Sequence, residues 1–362
     1  MYKYSHGGDI YSEKANEDGK NAIDFSANIN PLGMPAGVRK ALRGSIQDCL
    51  NYPDTFCRRL VEKIALHHSV SQESIFVGNG AADVLFRLAL ALKPKRALLL
   101  APTFSDYEKA LLTVDCNIEF YNLSEENDFC IQDDYLERIT AGLDFIVICN
   151  PNNPTGQVTS RAMLLKIIEK CHTVGTKILI DECFMDFVDE EKDFSVVEYL
   201  SAYDNLIVLG AFTKIYAMPG VRLGYCLTNK ASIIDACRES GQDWNVSTLA
   251  QAAGIAALQD RQYLEKTKEY IRTERAYLIE NLTKLNAKIY GSKANYIFFS
   301  LVQVANLPEK LRKEGFLIRE CANYRNLGDN YFRIAVRKKT ENKLLIKALR
   351  KILKNENTVS SY

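Results

Sequence analysis

Between residues 74 and 227 the chain alternates short apolar runs with stretches of helical periodicity, and this alternation limits the folds open to it. The runs are apolar at successive positions, so both faces of each predicted strand are buried. Such strands need helices on both sides of the sheet, which predicts an α/β fold with a mostly parallel central sheet. The predicted strands are residues 75–78, 97–101, 145–149, 177–181, 206–210 and 223–227.

The character of the sequence changes near Asp260, where a long charged helical pattern begins. Strand-like runs and a further helical pattern follow, typical of an α+β unit. We predict a large α/β domain over residues 41–264 and a small domain over residues 265–362. The irregular N-terminal segment, residues 1–40, is expected to pack with the small domain, and the last eight residues are expected to be disordered.

The charge balance argues against some classes of partner. The 362 residues include 46 Lys and Arg and 45 Asp and Glu, so a nucleic-acid partner is not expected. No apolar run approaches the roughly 20 residues that cross a bilayer, which argues against a membrane partner. The first twenty residues are polar and have no signal-peptide pattern, so we predict a cytoplasmic protein.

The ten cysteines are scattered and form no CxxC or zinc-like cluster. Several lie within apolar, strand-like runs. Free cysteine behaves as a small buried hydrophobic residue, so reduced core thiols are favoured over disulfides, and no metal site is predicted.

The segment GNGAAD, residues 78–83, follows a predicted strand and opens a predicted helix. Gly80 permits a tight turn that leaves the backbone amides of Ala81 and Ala82 at a helix N-terminus, where free N–H groups and the helix dipole attract phosphate. A simple glycine turn gives the same pattern, so the segment alone leaves both interpretations open.

Three further polar side chains lie at or after strand ends, where open α/β sheets bind ligands. Asn153 lies in NPNNPTG, residues 150–156. Asp181 ends a buried strand, where a carboxylate needs a partner such as a cationic ring nitrogen. Lys214 has apolar neighbours, which favour the neutral, nucleophilic amine; an exposed surface lysine is the alternative.

In this order and spacing, GNGAAD, NPNNPTG, DECF and TKIYAMPGVRLGY resemble the aspartate aminotransferase superfamily, the fold type I enzymes that use pyridoxal 5′-phosphate. The resemblance covers essentially the whole chain. It implies a large cofactor-binding α/β domain, a smaller α+β domain built from the N-terminal segment and the C-terminal region, and a homodimer.

The resemblance also implies roles for single residues. Lys214 would bond to the cofactor aldehyde and move protons, while Asp181 would hold the ring nitrogen protonated. Asn153 would bond the ring hydroxyl, and Phe104 would stack on the ring. The cofactor phosphate would be held by Gly80, Ala81, Ala82, Thr213 and Arg222, with Tyr52 contributed to the neighbouring subunit's site.

Two positions depart from the usual transaminase pattern. Phe184 stands where many members have a tyrosine that donates to the ring hydroxyl, and Ala211 replaces a serine or threonine that contacts the phosphate. Cofactor binding is still expected because Arg222 and the helix N-terminus remain. The two departures count against ordinary transamination.

Within the superfamily, the chain most resembles the branch that contains threonine-phosphate decarboxylase and histidinol-phosphate aminotransferase. HGGDIY, DFSANINPLG, DECFMDF and LIRECANYRNL favour the decarboxylase, which serves cobalamin assembly. The resemblance therefore implies loss of carbon dioxide from L-threonine O-3-phosphate, giving (R)-1-amino-2-propanol phosphate. Histidinol-phosphate transamination with glutamate and 2-oxoglutarate is the alternative.

A basic run over residues 312–339 contains eight basic and three acidic residues. A solvated face is one interpretation of such a run. A small phosphorylated substrate with a carboxylate also needs several converging cations, which Arg325, Arg333 and Arg337 would supply, with Arg333 and Arg337 expected on one face of a strand. The resemblance implies that Arg333 would clamp the substrate carboxylate with two hydrogen bonds and that His6 and Asn30 would contact the phosphate. The predicted substrate-binding residues are therefore His6, Asn30, Arg325, Arg333 and Arg337.

Overall fold

A central seven-stranded sheet organises the chain in the computed structural model, which describes residues 6–10 and 22–359. Over these residues the strands are β1 (Ile23–Asp24), β2 (Ile75–Gly78), β3 (Arg96–Ala101), β4 (Asn117–Asn122), β5 (Phe145–Cys149), β6 (Lys177–Asp181), β7 (Leu206–Ala211), β8 (Gly224–Leu227), β9 (Lys288–Tyr290), β10 (Tyr296–Ser300), β11 (Phe316–Leu317), β12 (Arg319–Glu320) and β13 (Tyr331–Ala335).

The central sheet has the order β2-β8-β7-β6-β5-β3-β4, and only β8 runs antiparallel to its neighbours. Every residue of β2, β5 and β7 is buried. The continuous apolar runs form this sheet because helices cover both of its faces.

The helices in the described residues are α1 (Ala36–Gly44), α2 (Arg58–His68), α3 (Ala81–Leu92), α4 (Asp106–Leu112), α5 (Arg161–Val174), α6 (Phe212–Ile215), α7 (Ala231–Glu239), α8 (Thr248–Ala257), α9 (Arg261–Thr283), α10 (Leu307–Lys313) and α11 (Lys339–Val359). Their ends follow local chemistry. Ser160 caps α5 by accepting from the Met163 amide at 3.3 Å, and Gly175 ends it with φ +77°.

The C-terminal region contains a four-stranded sheet of order β12-β13-β10-β9. The N-terminal segment joins this region because β1 pairs in parallel with β11. Helix α9 runs across the domain boundary predicted at residue 264, and α11 extends to Val359, within the tail expected to be disordered.

The parallel strands β5, β6 and β7 end beside one another, so Cys149, Asp181 and Ala211 lie at one edge of the sheet. This edge forms one wall of the candidate site. Over residues 6–10 and 22–359, no helix combines the length and apolar character needed to span a membrane.

Candidate functional site

A cavity of about 250 Å³ lies at this edge, between the strand ends, the N-terminus of α3 and the C-terminal region. Its lining includes four basic side chains and two carboxylates. The basic residues are Lys214, Arg222, Arg319 and Arg333, and the carboxylates belong to Asp106 and Asp181. Its surface therefore favours an anionic ligand.

Lys214 lies on the short helix α6, directly after β7, and lines the cavity. Removal of its ammonium group from water and the nearby charge of Arg333 lower its pKa from 10.5 to about 8. With this pKa about half of the Lys214 amines are neutral, and therefore nucleophilic, near pH 8.

The reactivity of Lys214 in the unliganded protein is expected to rise with pH through about 8. The neutral amine is the reactive form, and its fraction increases about tenfold between pH 7 and pH 9 for a pKa of about 8. Reaction with a small neutral aldehyde, trapped by borohydride and quantified by peptide mapping, measures this. Lys230, exposed and paired with Asp204, provides the internal control. A Lys214 rate that rises only above pH 10 would contradict the expectation.

Asp181 ends β6 and is 6% exposed. Its Oδ1 accepts from the Cys183 amide at 2.9 Å, and its Oδ2 accepts from the Tyr107 hydroxyl at 2.5 Å. Burial raises the pKa of the Asp181 carboxyl, while these donors oppose the shift. Sequence reasoning found Asp181 but missed Tyr107.

The N-terminus of α3 and Arg222 lie together at one end of the cavity. Gly80 has φ +90°, a backbone conformation that favours glycine, and the position of an added Cβ would lie 2.6 Å from Arg222 Nη2, so Arg222 approaches the backbone closely here. Ala81 and Ala82 line the cavity at the helix start. Thr213, 6% exposed, lines it from α6. Backbone amides and a guanidinium here could hold a phosphate.

Arg333 projects into the cavity from β13 and is 5% exposed. Its Nη1 donates to Asn153 Oδ1, and its Nη2 donates to the Ser26 carbonyl at 2.8 Å. The buried Nε has no hydrogen-bond acceptor among the described residues. A buried guanidinium with an unused donor suits an anionic ligand in the same cavity.

Arg319 is the third arginine that lines the cavity, with Arg222 and Arg333, and it was not predicted from the sequence. It lies on β12, where it pairs directly with Arg333 of β13, and both line the cavity. Its Nη2 donates to Asn323 Oδ1 at 2.7 Å. Like charges on directly opposed residues are destabilising, so an anion between them would relieve the repulsion. The sequence does contain an indication of this role in FLIRE, residues 316–320, because an arginine interrupts an otherwise apolar strand there.

Asn28 was also missed. It is 2% exposed, lines the cavity, and its Oδ1 has no hydrogen-bond donor among the described residues. A buried amide oxygen without a donor is costly unless a ligand supplies one. Asn28 lies in the segment DFSANINPLG, from which the sequence analysis selected Asn30 instead.

His6 and Phe104 both line the cavity. Their ring centroids lie 5.5 Å apart, and His6 Nε2 lies 3.0 Å from Asp106 Oδ1. The described part of the N-terminal segment therefore covers the cavity beside Phe104. Tyr11 of the HGGDIY segment lies outside the described residues.

Asn30 does not line the cavity. Its backbone amide donates to the Lys214 carbonyl at 3.2 Å. Its Nδ2 donates to the Ile215 carbonyl at 2.7 Å and to Thr267 Oγ1 at 2.8 Å. Asn30 is buried, and its hydrogen bonds stabilise the turn that carries Lys214. All of these bonds are made to other groups of the protein.

Arg325 and Arg337 also lie outside the cavity. Arg325 pairs with Glu108 at 2.5 Å on the surface. Strand β13 ends at Ala335, so the alternation expected to place Arg337 beside Arg333 does not continue, and Arg337 pairs with Glu341 of α11 at 3.2 Å. Tyr52 is 79% exposed and stacks on Trp244 with ring centroids 4.6 Å apart, away from the cavity of its own chain.

Replacing Asn30 with alanine is expected to destabilise the protein rather than only weaken substrate binding. The Ile215 carbonyl would lose a buried donor, which lowers the free energy of unfolding by about 2 kcal/mol or more. Chemical denaturation measures this, with exposed Asn229→Ala as the control. Unchanged stability with a raised KM would return Asn30 to a substrate-binding role.

Comparison with known proteins agrees with the geometry. The family model for aminotransferase class I and II matches residues 20–349. The chain belongs to the class I and II aminotransferase family. Threonine-phosphate decarboxylase of Salmonella typhimurium is 36% identical over 359 residues, which cover 98% of each chain.

Two solved structures of this family have the same fold. Histidinol-phosphate aminotransferase from Clostridium acetobutylicum gives a TM-score of 0.87 at 29% identity, over 92% of this chain and 99% of that chain. L-threonine-O-3-phosphate decarboxylase from Porphyromonas gingivalis gives a TM-score of 0.82 at 25% identity, over 92% of this chain and 99% of that chain. The predicted family and the mostly parallel α/β fold are therefore confirmed.

Proposed function

We propose that the protein is a pyridoxal 5′-phosphate-dependent lyase that decarboxylates L-threonine O-3-phosphate to (R)-1-amino-2-propanol phosphate. The observation that carries this proposal is the opposed pair Arg319 and Arg333 on neighbouring strands of the cavity wall. Two arginines that are opposed on neighbouring strands and that line the same cavity suit a substrate with a carboxylate and a phosphate. The relative from Salmonella typhimurium supports the same reaction.

The cavity residues fit this cofactor. Because Gly80 has no side chain, Arg222 can approach the start of α3. Arg222, Thr213 and the backbone amides at this helix start would hold the cofactor phosphate. Asp181 would hold the ring nitrogen, and Phe104 would stack on the ring. Asn153 accepts from Arg333 through Oδ1, which leaves its Nδ2 for the ring hydroxyl. When bound, the cofactor supplies an electron sink for the bond broken at Cα.

The substrate would lie against the C-terminal region. Arg333 would hold the carboxylate, and Arg319, with His6, would hold the phosphate. By holding both anionic ends of the substrate, these residues would orient the Cα–carboxylate bond, whose electron pair would pass to the bound cofactor when carbon dioxide leaves. Lys214 Nζ would then return a proton to Cα.

Histidinol-phosphate aminotransferase is the second candidate, supported by the structural likeness to the Clostridium acetobutylicum enzyme. The test is incubation of the purified holoenzyme with each phosphorylated substrate. We expect carbon dioxide from L-threonine O-3-phosphate and no glutamate formation from histidinol phosphate with 2-oxoglutarate. Rapid amino transfer without decarboxylation would reject the lyase proposal.

A homodimer is part of the proposal. Exposed apolar side chains cluster in sequence near Tyr52, which itself stacks on Trp244; they include Ile46, Leu50 and Phe56. A second copy would bury them and bring Tyr52 to its partner's cofactor phosphate. Sedimentation tests the dimer, and Tyr52→Phe is expected to speed cofactor release a few-fold. An unchanged release rate would remove Tyr52 from the site.

A cytoplasmic location is also proposed, because eight of the ten cysteines are buried and none forms a disulfide.

A further inference from the structure

Tyr107 is fully buried on α4, and the cofactor-binding roles proposed above leave it without a function. Its hydroxyl donates to Asp181 Oδ2 at 2.5 Å. Its ring packs edge-on against Phe104, with centroids 5.7 Å apart. Tyr107 therefore contacts both the carboxylate and the aromatic ring that are proposed to hold the cofactor.

We propose that Tyr107 is a positioning residue whose hydroxyl keeps the proton shared by Asp181 and the cofactor ring nitrogen on the ring. The inference rests on the proposed cofactor site. A carboxylate that accepts a strong hydrogen bond is a weaker base than one that does not. With Tyr107 in place, the ring nitrogen is the better proton acceptor of the pair, and the cofactor remains an effective electron sink.

The surroundings of Asp181 make this donor important. Burial raises the pKa of its carboxyl, and the bonds from Cys183 and Tyr107 oppose that rise. Other titratable groups also interact electrostatically with Asp181 or with its neighbour Cys183. Cys149 at the end of β5 and Tyr296 of β10 interact with Asp181, and Lys214 interacts with Cys183. Burial also raises the pKa of the Tyr107 phenol well above 10, so it stays protonated and can always donate.

The hydroxyl and the ring of Tyr107 can be separated experimentally. Tyr107→Phe keeps the edge-on contact with Phe104 and removes only the donor. Without it, Asp181 becomes the stronger base, and the shared proton moves from the ring nitrogen to the carboxylate. A merely structural role for Tyr107 would lower stability without moving this proton.

The matched control is Tyr121→Phe. Tyr121 is also buried, in β4, and its hydroxyl donates to the carboxylate of Asp134, outside the cavity. Both variants lose one tyrosine–aspartate bond in the same domain. Only the Tyr107 bond involves the proposed cofactor carboxylate.

The experiment reconstitutes wild type and both variants with pyridoxal 5′-phosphate carrying ¹⁵N in the ring, and records the ¹⁵N signal at pH 7.5. In Tyr107→Phe we expect the ratio of protonated to unprotonated ring to fall about tenfold or more. We also expect kcat to fall by a similar factor, with KM within about twofold. Tyr121→Phe should match the wild type in all three measurements.

A wild-type ring signal in cofactor-loaded Tyr107→Phe would overturn the inference. If that variant fails to fold, 3,5-difluorotyrosine at position 107 replaces it. This analogue is a stronger donor of the same shape, so the ring should remain protonated at a pH where the wild-type ring begins to lose its proton; no shift would again overturn the inference. Failure of the wild type to bind the cofactor would instead reject the proposed function.

Discussion

Lys214→Ala is expected to abolish turnover and covalent cofactor attachment together. The amine of Lys214 is the only lysine amine that lines the cavity in the described part of the chain. Alanine removes both the nucleophile that bonds to the cofactor aldehyde and the group that returns a proton to Cα. We expect kcat to fall by at least about 10⁴-fold, because proton transfer alone contributes about 10²–10⁴.

The measurement combines steady-state carbon dioxide release with the visible absorbance of the bound cofactor. The visible band of the wild type should be lost in Lys214→Ala. Cofactor retention should weaken but persist, because Arg222, Thr213 and the start of α3 remain. Lys230→Ala, at an exposed lysine paired with Asp204, is the control and should behave as the wild type. Residual activity above about 1% would remove Lys214 from its proposed role.

Arg333→Lys is expected to weaken substrate capture while the cofactor stays bound. Lysine keeps the charge but loses the planar fork, which donates at once to Asn153 and to the Ser26 carbonyl. It also loses the Nε donor that faces no acceptor in the described residues. Loss of a two-bond contact to a carboxylate should lower kcat/KM by about 10²–10³-fold, chiefly through KM.

Arg337→Lys is a matched control for this prediction. The sequence placed both arginines on one strand face, whereas Arg337 pairs with Glu341 beyond the end of β13. Its replacement should change kcat/KM less than twofold, because this half-buried ion pair lies outside the cavity and lysine keeps the charge that pairs with Glu341. Equal losses in the two variants, or loss of cofactor absorbance in Arg333→Lys, would contradict the assignment of Arg333 to the substrate carboxylate.

The cofactor side of the candidate site was predictable because its residues lie at or just after the ends of neighbouring parallel strands. Asp181 ends β6, Asn153 follows β5 and Lys214 follows β7, and these three strands are adjacent in the sheet. Parallel strands bring their carboxyl ends to one edge, so short motifs at those ends converge without further information. Gly80 belongs to the same pattern at the start of α3.

The substrate side was less predictable. Arg325 was selected from a basic run, whereas Arg319 lines the cavity because it pairs with Arg333 across two antiparallel strands. The two residues are separated by a turn whose length and register fix which side chains face inward. Within DFSANINPLG, the backbone path makes Asn28 line the cavity and Asn30 hold the Lys214 turn.

The sequence alone determined the fold class, the family resemblance and the residues proposed to hold the cofactor. Apolar periodicity and residues next to strand ends are local properties, and they survive in any structure with this sheet. Only the tertiary structure decided which arginine joins Arg333, which asparagine lines the cavity, and that Tyr107 supports Asp181. These depend on strand register and on contacts between segments far apart in the chain, such as the 2.5 Å bond from Tyr107 to Asp181, which no spacing in the sequence encodes.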